Sequence, residues 1–374
     1  MPDDDNSPIS AQDAKRLFAD WKRAPAIVLA VSGGPDSIAL MWLAARWRRG
    51  LSRGPRLIAV TVDHGLCAEA AREARDVKQL ARALDLPHRT LRWTGTKPNT
   101  GLPAAARSAR YRLLAQAARQ NHATHILTAH TRDDQAETLL MRLLRGSGIA
   151  GLAAMGRESE RDGLLLARPF LNVSKSQLVA TLKKAKLDFA DDPSNRDTNF
   201  TRPRIREVMP VLAAEGGDAR SLARLASRMA RANQAVEVLV DGAERYLALK
   251  DREASDAARH ARIFEAKIFD AEIFEAKIFD AKAFAVLPEE IRLRLLLRAI
   301  DRFGHEGPAE LGKVEVLLAA LDRAIAEKRA GRRPNRSPGL GRPRLKQTLA
   351  GALVSLVGDR IRVEPAPPRR RRPD

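Results

Sequence analysis

Short apolar runs alternate with longer segments of helical spacing between about residues 27 and 190. Four short segments of this pattern are candidate strands, over residues 27–31, 57–62, 88–93 and 125–129. Helical spacing of apolar side chains lies between and after them, over residues 37–47, 68–84, 103–120 and 131–144. Because strands that alternate with helices favour parallel pairing, the pattern predicts an α/β fold with a parallel sheet flanked by helices.

The C-terminal part of the chain has a different pattern. Helical spacing continues to about residue 250 and returns over residues 288–302 and 310–328. A β-like segment, 345–363, follows, and the arginines of 369–372 form a basic tail. Such a tail can contact phosphate, although a solvated end explains it equally simply. This part is therefore predicted to be helical, with a small C-terminal extension.

Residues 263–282 repeat a five-residue unit, IFEAK-IFDAE-IFEAK-IFDAK, whose apolar pairs match neither the helix period nor the strand period. We interpret the repeat as a low-complexity insert without a site. The expected domains are a lead helix, a catalytic domain, a helical domain that contains the repeat, and a small C-terminal domain with the tail, over residues 1–24, 25–215, 216–305 and 306–374.

Composition narrows the classes of function. The 374 residues carry a formal net charge of +20, which favours a polyanionic partner such as nucleic acid, although a basic surface can also serve solubility alone. The single cysteine, Cys67, excludes an intrachain disulfide and any cluster of several thiolates. Neither a leader peptide nor an apolar run near the roughly 20 residues of a membrane helix is visible, so we expect a cytoplasmic protein without a membrane partner.

One loop follows the first predicted strand and begins the first long helix. Its residues are Ser32, Gly33, Gly34, Pro35, Asp36 and Ser37. Backbone N–H groups at a helix N-terminus attract anions, and paired glycines permit close approach, so phosphate is the expected ligand. Asp36 would repel phosphate unless a cation lies between them, which indicates Mg²⁺ at this carboxylate. A plain strand-to-helix turn is the alternative interpretation.

Other candidate residues follow two neighbouring strands. Asp63 and His64 come directly after the second strand, where ligands bind in open α/β sheets, although His64 could be an ordinary turn residue. His130, Asp134 and Glu137 have the spacing i, i+4 and i+7, which predicts one shared helix face. A surface helix with ordinary charges is the alternative.

Arginines form two further groups. Arg107 and Arg110 are three residues apart on a predicted helix, and Arg202, Arg204 and Arg206 alternate after an Asp-Pro-Ser-Asn turn at 192–195. Their chemistry suits phosphate or tRNA contacts, whereas solvated arginines are also common in so basic a chain.

Together, several motifs resemble tRNA(Ile)-lysidine synthetases, a family of N-type ATP pyrophosphatases of the PP-loop superfamily. The motifs are the S-G-G-x-D-S loop, V-D-H-G-L at 62–66, A-H-x-x-x-D-x-x-E-T at 129–138 with R-G-S-G at 145–148, R-P-F-L at 168–171 and D-P-S-N at 192–195. The resemblance spans roughly residues 25 to 215. It implies an ATP-dependent ligase that adenylates the wobble cytidine of a CAU-anticodon tRNA(Ile) and then attaches L-lysine to its 2-carbon.

The resemblance also implies roles for particular residues. Residues 32–37, Asp63 and His64 would bind ATP, and Asp36 would help to hold Mg²⁺. Five residues match positions that the family places around the cytidine, the lysine and the reacting phosphate: Arg110, His130, Asp134, Glu137 and Arg202. Lysine has a reference pKa near 10.4, so its amine arrives charged and must lose a proton; acids suit its binding, and arginines suit the developing phosphate charge.

The sequence departs from the family's usual pattern at three residues, and two alternative functions stay open. Pro203 and Glu207 replace an amide and a histidine of the family's usual pattern, and Cys67 stands where an arginine is common. A tRNA thiolation enzyme would share the adenylation chemistry, but such enzymes typically use paired cysteines. A catalytically inactive tRNA-binding protein is the second rival. The sequence leaves a homodimer open.

Overall fold

The computed structural model describes residues 5–65, 70–95, 97–98, 100–161, 163–190, 201–261, 276–330 and 345–367. Cys67, the 192–195 turn, most of the repeat and the 369–372 tail lie outside these residues. The chain forms two compact units, Met1–Ala230 and Arg231–Asp374.

A six-stranded sheet organises the first unit. Its strands are β1 (Ala26–Ala30), β2 (Arg56–Asp63), β3 (His88–Arg92), β4 (His125–Leu127), β5 (Glu158–Arg161) and β6 (Leu164–Ala167). They lie in the order β3-β2-β1-β4-β6-β5, and every neighbouring pair is parallel except β5 with β6. The predicted parallel sheet and its four strands are thus confirmed. The strand order reverses beside β1, which is where open sheets bind ligands.

Helices cover both faces of this sheet. They are α1 (Ala11–Leu17), α2 (Pro35–Arg49), α3 (Ala70–Ala83), α4 (Leu102–Gln120), α5 (Arg132–Leu143), α6 (Ile149–Leu152), α7 (Lys175–Lys184) and α8 (Thr201–Ala214), besides a 3₁₀ turn at Ala19–Trp21. Side chains of α1, α2, α3 and α7 share one core, and α4 packs on the other face. Every residue of β1 is buried, as a strand covered on both faces requires.

The second unit has its own core. The long helix α9 (Ala219–Ala261) continues into it from the first unit, past the predicted boundary near residue 215. Its other elements are β7 (Lys277–Asp280), α10 (Ala281–Ala285), α11 (Glu289–Phe303), α12 (Leu311–Arg329), β8 (Leu345–Leu349), β9 (Ala352–Val357) and β10 (Arg360–Pro365). The strands form an antiparallel sheet in the order β7-β10-β9-β8. Predicted helical and β-like segments therefore meet around one core.

The end of the repeat corrects the sequence interpretation. Residues Lys277–Asp280 have a structural role, because they form β7 and pair with β10. Phe279 is buried in the core of the second unit, and Asp280 caps α10 by accepting the N–H of Ala283 at 2.7 Å.

In the part of the chain that the structure describes, the helices lack the length and apolar character needed to cross a membrane.

Candidate functional site

The Ser32–Ser37 loop connects β1 to the N-terminus of α2. Gly33 has φ +96°, a conformation that favours glycine, and Gly34 is the N-cap with Pro35 in the first turn. The hydroxyl of Ser37 braces the loop, since it accepts the N–H of Ser32 at 3.0 Å and donates to the carbonyl of Gly34 at 3.0 Å. These hydrogen bonds fix the loop at the N-terminus of α2, whose partial positive charge suits an anion.

Asp36 carries the negative charge of this loop, in surroundings that disfavour its ionised form. Its Oδ1 is buried and has no hydrogen-bond partner among the described residues, and burial raises its pKa to about 6. Lys175 opposes this shift, with Nζ at 3.7 Å from Oδ2, whereas Asp134 and Asp133 add to it. A partly buried carboxylate with a buried, unpartnered oxygen is a site where a cation would be stabilised.

The residues around Asp36 suit Mg²⁺ only together with a nucleotide. Within the described ranges, no group of three or more His, Cys, Asp or Glu side chains could hold a metal by itself. Mg²⁺ beside a nucleotide, however, uses one or two carboxylates together with substrate phosphates. The unpartnered Oδ1 of Asp36, at the mouth of an anion-binding loop, fits this mode.

The loop after β4 leads into α5. Thr131 is the N-cap, and a capping box joins it to Asp134, whose Oδ2 accepts the Thr131 N–H at 2.8 Å and its hydroxyl at 3.1 Å. The prediction that His130 shares a helix face with Asp134 and Glu137 is wrong, because α5 begins at Arg132. Only the two acids lie on the helix, one turn apart.

Arginines of α8 neutralise these acids. Arg202 Nη1 lies 3.2 Å from Asp134 Oδ1 and 3.8 Å from Glu137 Oε2, and Arg206 Nε donates to Glu137 Oε1 at 2.6 Å. Glu137 is 4% exposed, and burial raises its pKa despite the hydrogen bond from Arg206. The sequence analysis groups Arg206 with arginines suited to phosphate or tRNA and does not predict its contact with Glu137, although the i, i+4 spacing of Arg202 and Arg206 places both on one helix face.

Pro203 fits this arrangement. It is the third residue of α8, where a backbone N–H has no partner within the helix, so proline loses no hydrogen bond there. Arg204, next to it, lies on the exposed side of the helix. The proline therefore does not disrupt α8, and Arg202 and Arg206 of this helix both contact the acids of α5.

His130 is held neutral. Burial, aided by Arg168, Arg107 and Arg110 and opposed by Asp134, lowers its pKa to about 4. Its Nδ1 lies 2.9 Å from the hydroxyl of Thr128. An uncharged imidazole therefore stands beside a group of arginines.

The loop after β2 approaches the same arginines. His64 has a buried Nδ1 without a partner in the described part of the chain, and burial, followed by Arg110, lowers its pKa. Asp63 instead shapes the turn, since its Oδ1 accepts the N–H of Gly65 at 2.7 Å. Arg110 acts electrostatically on both imidazoles, and the described residues offer it no carboxylate within ion-pair distance.

Arg168, the residue directly after β6, lies close to this group. It is 7% exposed and donates to the carbonyl of Gly156 at 2.7 Å and to the hydroxyl of Ser159 at 3.1 Å. Its Nε is buried without a partner among the residues described. The structure thus brings acids and arginines from five segments to the carboxyl edge of β1, β2 and β4.

Known proteins share this layout. A family model described as a PP-loop domain matches residues 6–212. A tRNA(Ile)-lysidine synthase of Bradyrhizobium diazoefficiens is 70% identical over 374 residues, covering 100% of this chain and 99% of that protein. One of Rhodopseudomonas palustris is 61% identical, with coverages of 100% and 99%.

A solved structure supports the fold alone. The U34-tRNA thiolase NcsA from Methanococcus maripaludis with its [4Fe-4S] cluster has a TM-score of 0.51 at 15% sequence identity. The likeness covers 59% of this chain and 77% of that one. With the full-length identity to the curated relatives and the PP-loop match, the chain belongs to the tRNA(Ile)-lysidine synthase family.

Proposed function

We propose that this enzyme uses ATP to adenylate the wobble cytidine of a CAU-anticodon tRNA(Ile) and then joins L-lysine to the base. The cytosine 2-carbonyl oxygen attacks the α-phosphorus, and pyrophosphate leaves. The lysine side-chain amine, after losing a proton, attacks carbon 2, and AMP leaves with the former carbonyl oxygen. The product is lysidine, which changes codon reading from AUG to AUA.

The 32–37 loop would bind the triphosphate. Three features support this role: the N-terminus of α2, the positive φ of Gly33, and the hydroxyl of Ser37, which accepts the N–H of Ser32. Asp36 would hold Mg²⁺ through its unpartnered Oδ1. Mg²⁺ would neutralise charge on the phosphates during pyrophosphate loss.

The acids of α5 would receive the lysine ammonium. Glu137 is the less available acid, because Arg206 binds its Oε1 at 2.6 Å and its Oε2 at 3.4 Å. Asp134 Oδ1 has a weaker contact, with Arg202 at 3.2 Å. We therefore assign the ammonium to Asp134. The arginines that lower the pKa of His130 would also lower the pKa of the lysine amine, which promotes loss of its proton.

The observation that carries this proposal is the meeting of the anion-binding loop with the Asp134–Glu137 acids, in a chain 70% identical to a curated relative over its whole length. The test uses purified protein, unmodified tRNA(Ile) transcript with a CAU anticodon, ATP, Mg²⁺ and labelled lysine. We expect lysidine in the digested tRNA, with one AMP and one pyrophosphate per lysine incorporated.

Two controls sharpen the test. A transcript with a CAC anticodon, or the Asp36→Asn variant, should incorporate at least 100-fold less lysine, roughly the loss when an essential charge interaction of the transition state is removed. Omission of lysine should stop AMP release from the tRNA. Wild-type protein that releases no pyrophosphate, or that incorporates sulfide in place of lysine, would overturn the proposal.

A further inference from the structure

We infer that Lys175 is a triphosphate-binding residue that holds the β- and γ-phosphates, the part of ATP that leaves as pyrophosphate. The inference rests on ATP binding at the 32–37 loop, as proposed above. Lys175 is the first residue of α7, outside the motifs and spacings from which the site residues were predicted.

The position of the ammonium is the first support. Lys175 Nζ lies 3.7 Å from Asp36 Oδ2, beyond hydrogen-bond distance, and its side chain is 44% exposed. Asp36 is its sole ion-pair partner among the described residues. The ammonium thus stands at the mouth of the loop, loosely held and open to a ligand.

The backbone of Lys175 is fixed by contrast with its side chain. Its N–H donates to Asp133 Oδ2 at 2.9 Å. The preceding residue, Ser174, caps α7 by accepting the N–H of Gln177 at 3.1 Å, and its hydroxyl contacts the carbonyl of Asp5 at 2.9 Å. A partly exposed ammonium on an anchored Cα suits phosphate binding, because lysine acts there as a flexible point charge.

The other nearby cations pair with acids and lie on a different helix. Arg206 and Arg202 bind the acids of α5, and they lie on α8, which packs against that helix. Lys175 lies on α7, which packs against α2. The reacting α-phosphorus must face the acids and arginines of α5 and α8. The α7 side of the loop is therefore where the leaving phosphates would extend.

Nucleotide binding separates this role from others. Lys175→Met, Lys175→Arg and the control Lys183→Met, an exposed residue of the last turn of α7, would be titrated calorimetrically with ATP and AMP, with Mg²⁺ and without tRNA. We expect Lys175→Met to weaken ATP binding roughly 10- to 100-fold, as for a lost hydrogen bond to a charged group. AMP binding should change less than about twofold, and arginine should restore most of the loss.

Steady-state kinetics give a second readout. In Lys175→Met the KM for ATP should rise with little change in the KM for tRNA, and Lys183→Met should behave as wild type. Equal losses of ATP and AMP affinity would overturn the inference, since they indicate a distorted loop. Unchanged ATP affinity, or a lower Mg²⁺ requirement, would also overturn it, because Lys175 would then only neutralise Asp36.

The outcome is separable from that of the proposed function. Nucleotide titration requires no lysine transfer, so selective loss of ATP affinity supports the inference even in a protein that forms no lysidine. Native tryptophan emission of each variant confirms folding before titration. If Lys175→Met does not fold, the Lys175→Gln variant replaces it, with the same expected selectivity.

Discussion

Replacement of Asp36 by asparagine should make the first unit more stable while it abolishes activity. The carboxylate is partly buried beside an anion-binding loop: the side chain is 24% exposed, and Oδ1 is buried and unpartnered among the residues that the structure describes. Asparagine has nearly the same shape and carries no charge, so it resembles the protonated acid. The folded unit would no longer bear the cost of an ionised Asp36.

The magnitude follows from the raised pKa. Burial moves the pKa of Asp36 from 3.8 to about 6, net of the attraction by Lys175. Because the folded-state pKa is the higher one, ionisation destabilises the folded unit fully above pH 6, and this penalty vanishes as the pH falls toward 3.8. The gain from asparagine is therefore about 3 kcal/mol at pH 7.5 and about 1 kcal/mol at pH 4.5.

Urea unfolding followed by tryptophan emission measures this difference. All four tryptophans lie in the first unit, at Trp21, Trp42, Trp47 and Trp93. Both proteins are compared without Mg²⁺ or ATP, and Asp85→Asn, at a side chain 87% exposed, is the matched control with no expected gain. A pH-independent difference, or a less stable Asp36→Asn variant at pH 7.5, would refute the reasoning.

Three further predictions concern the surroundings of this loop. Arg206→Met should destabilise the first unit by about 1–3 kcal/mol in urea unfolding, less than for a fully buried pair, and the added change Glu137→Gln should recover part of the loss. The imidazole of His130 should stay neutral from pH 8 to pH 5, because burial lowers its pKa to about 4; an NMR titration midpoint near 6.5 would contradict this. Phe170→Ala should cost about 3–5 kcal/mol, since Phe170 is fully buried against Phe18; a loss below about 1 kcal/mol would argue against that packing.

The elements of the first sheet were predictable because their signals are local. The apolar run 27–31 corresponds to β1 (Ala26–Ala30), and the segment 103–120 corresponds to α4 (Leu102–Gln120). A strand covered on both faces needs a continuous apolar run, and a helix on its surface needs apolar side chains every three or four residues. Neither requirement depends on distant residues.

What the sequence could not provide depends on contacts between distant segments. The strand β7 lies at the end of a repeat with no strand period, and it forms because it pairs with β10, where Phe279 lies opposite Ile361, 82 residues later. The pair of Glu137 with Arg206 likewise joins residues 69 apart. His130 was misplaced because the capping box starts α5 after it.

These long-range pairs suggest how the site accommodates charged substrates. Before ATP binds, Arg202 and Arg206 occupy the acids that lysine would use, and Lys175 faces Asp36. A triphosphate brings several negative charges to the loop, and it competes for the same cations. Each arginine that turns toward phosphate leaves an acid of α5 without its partner, and an unpaired buried carboxylate is costly. An incoming lysine ammonium removes that cost, so ATP binding and lysine binding should reinforce one another through a single exchange of partners.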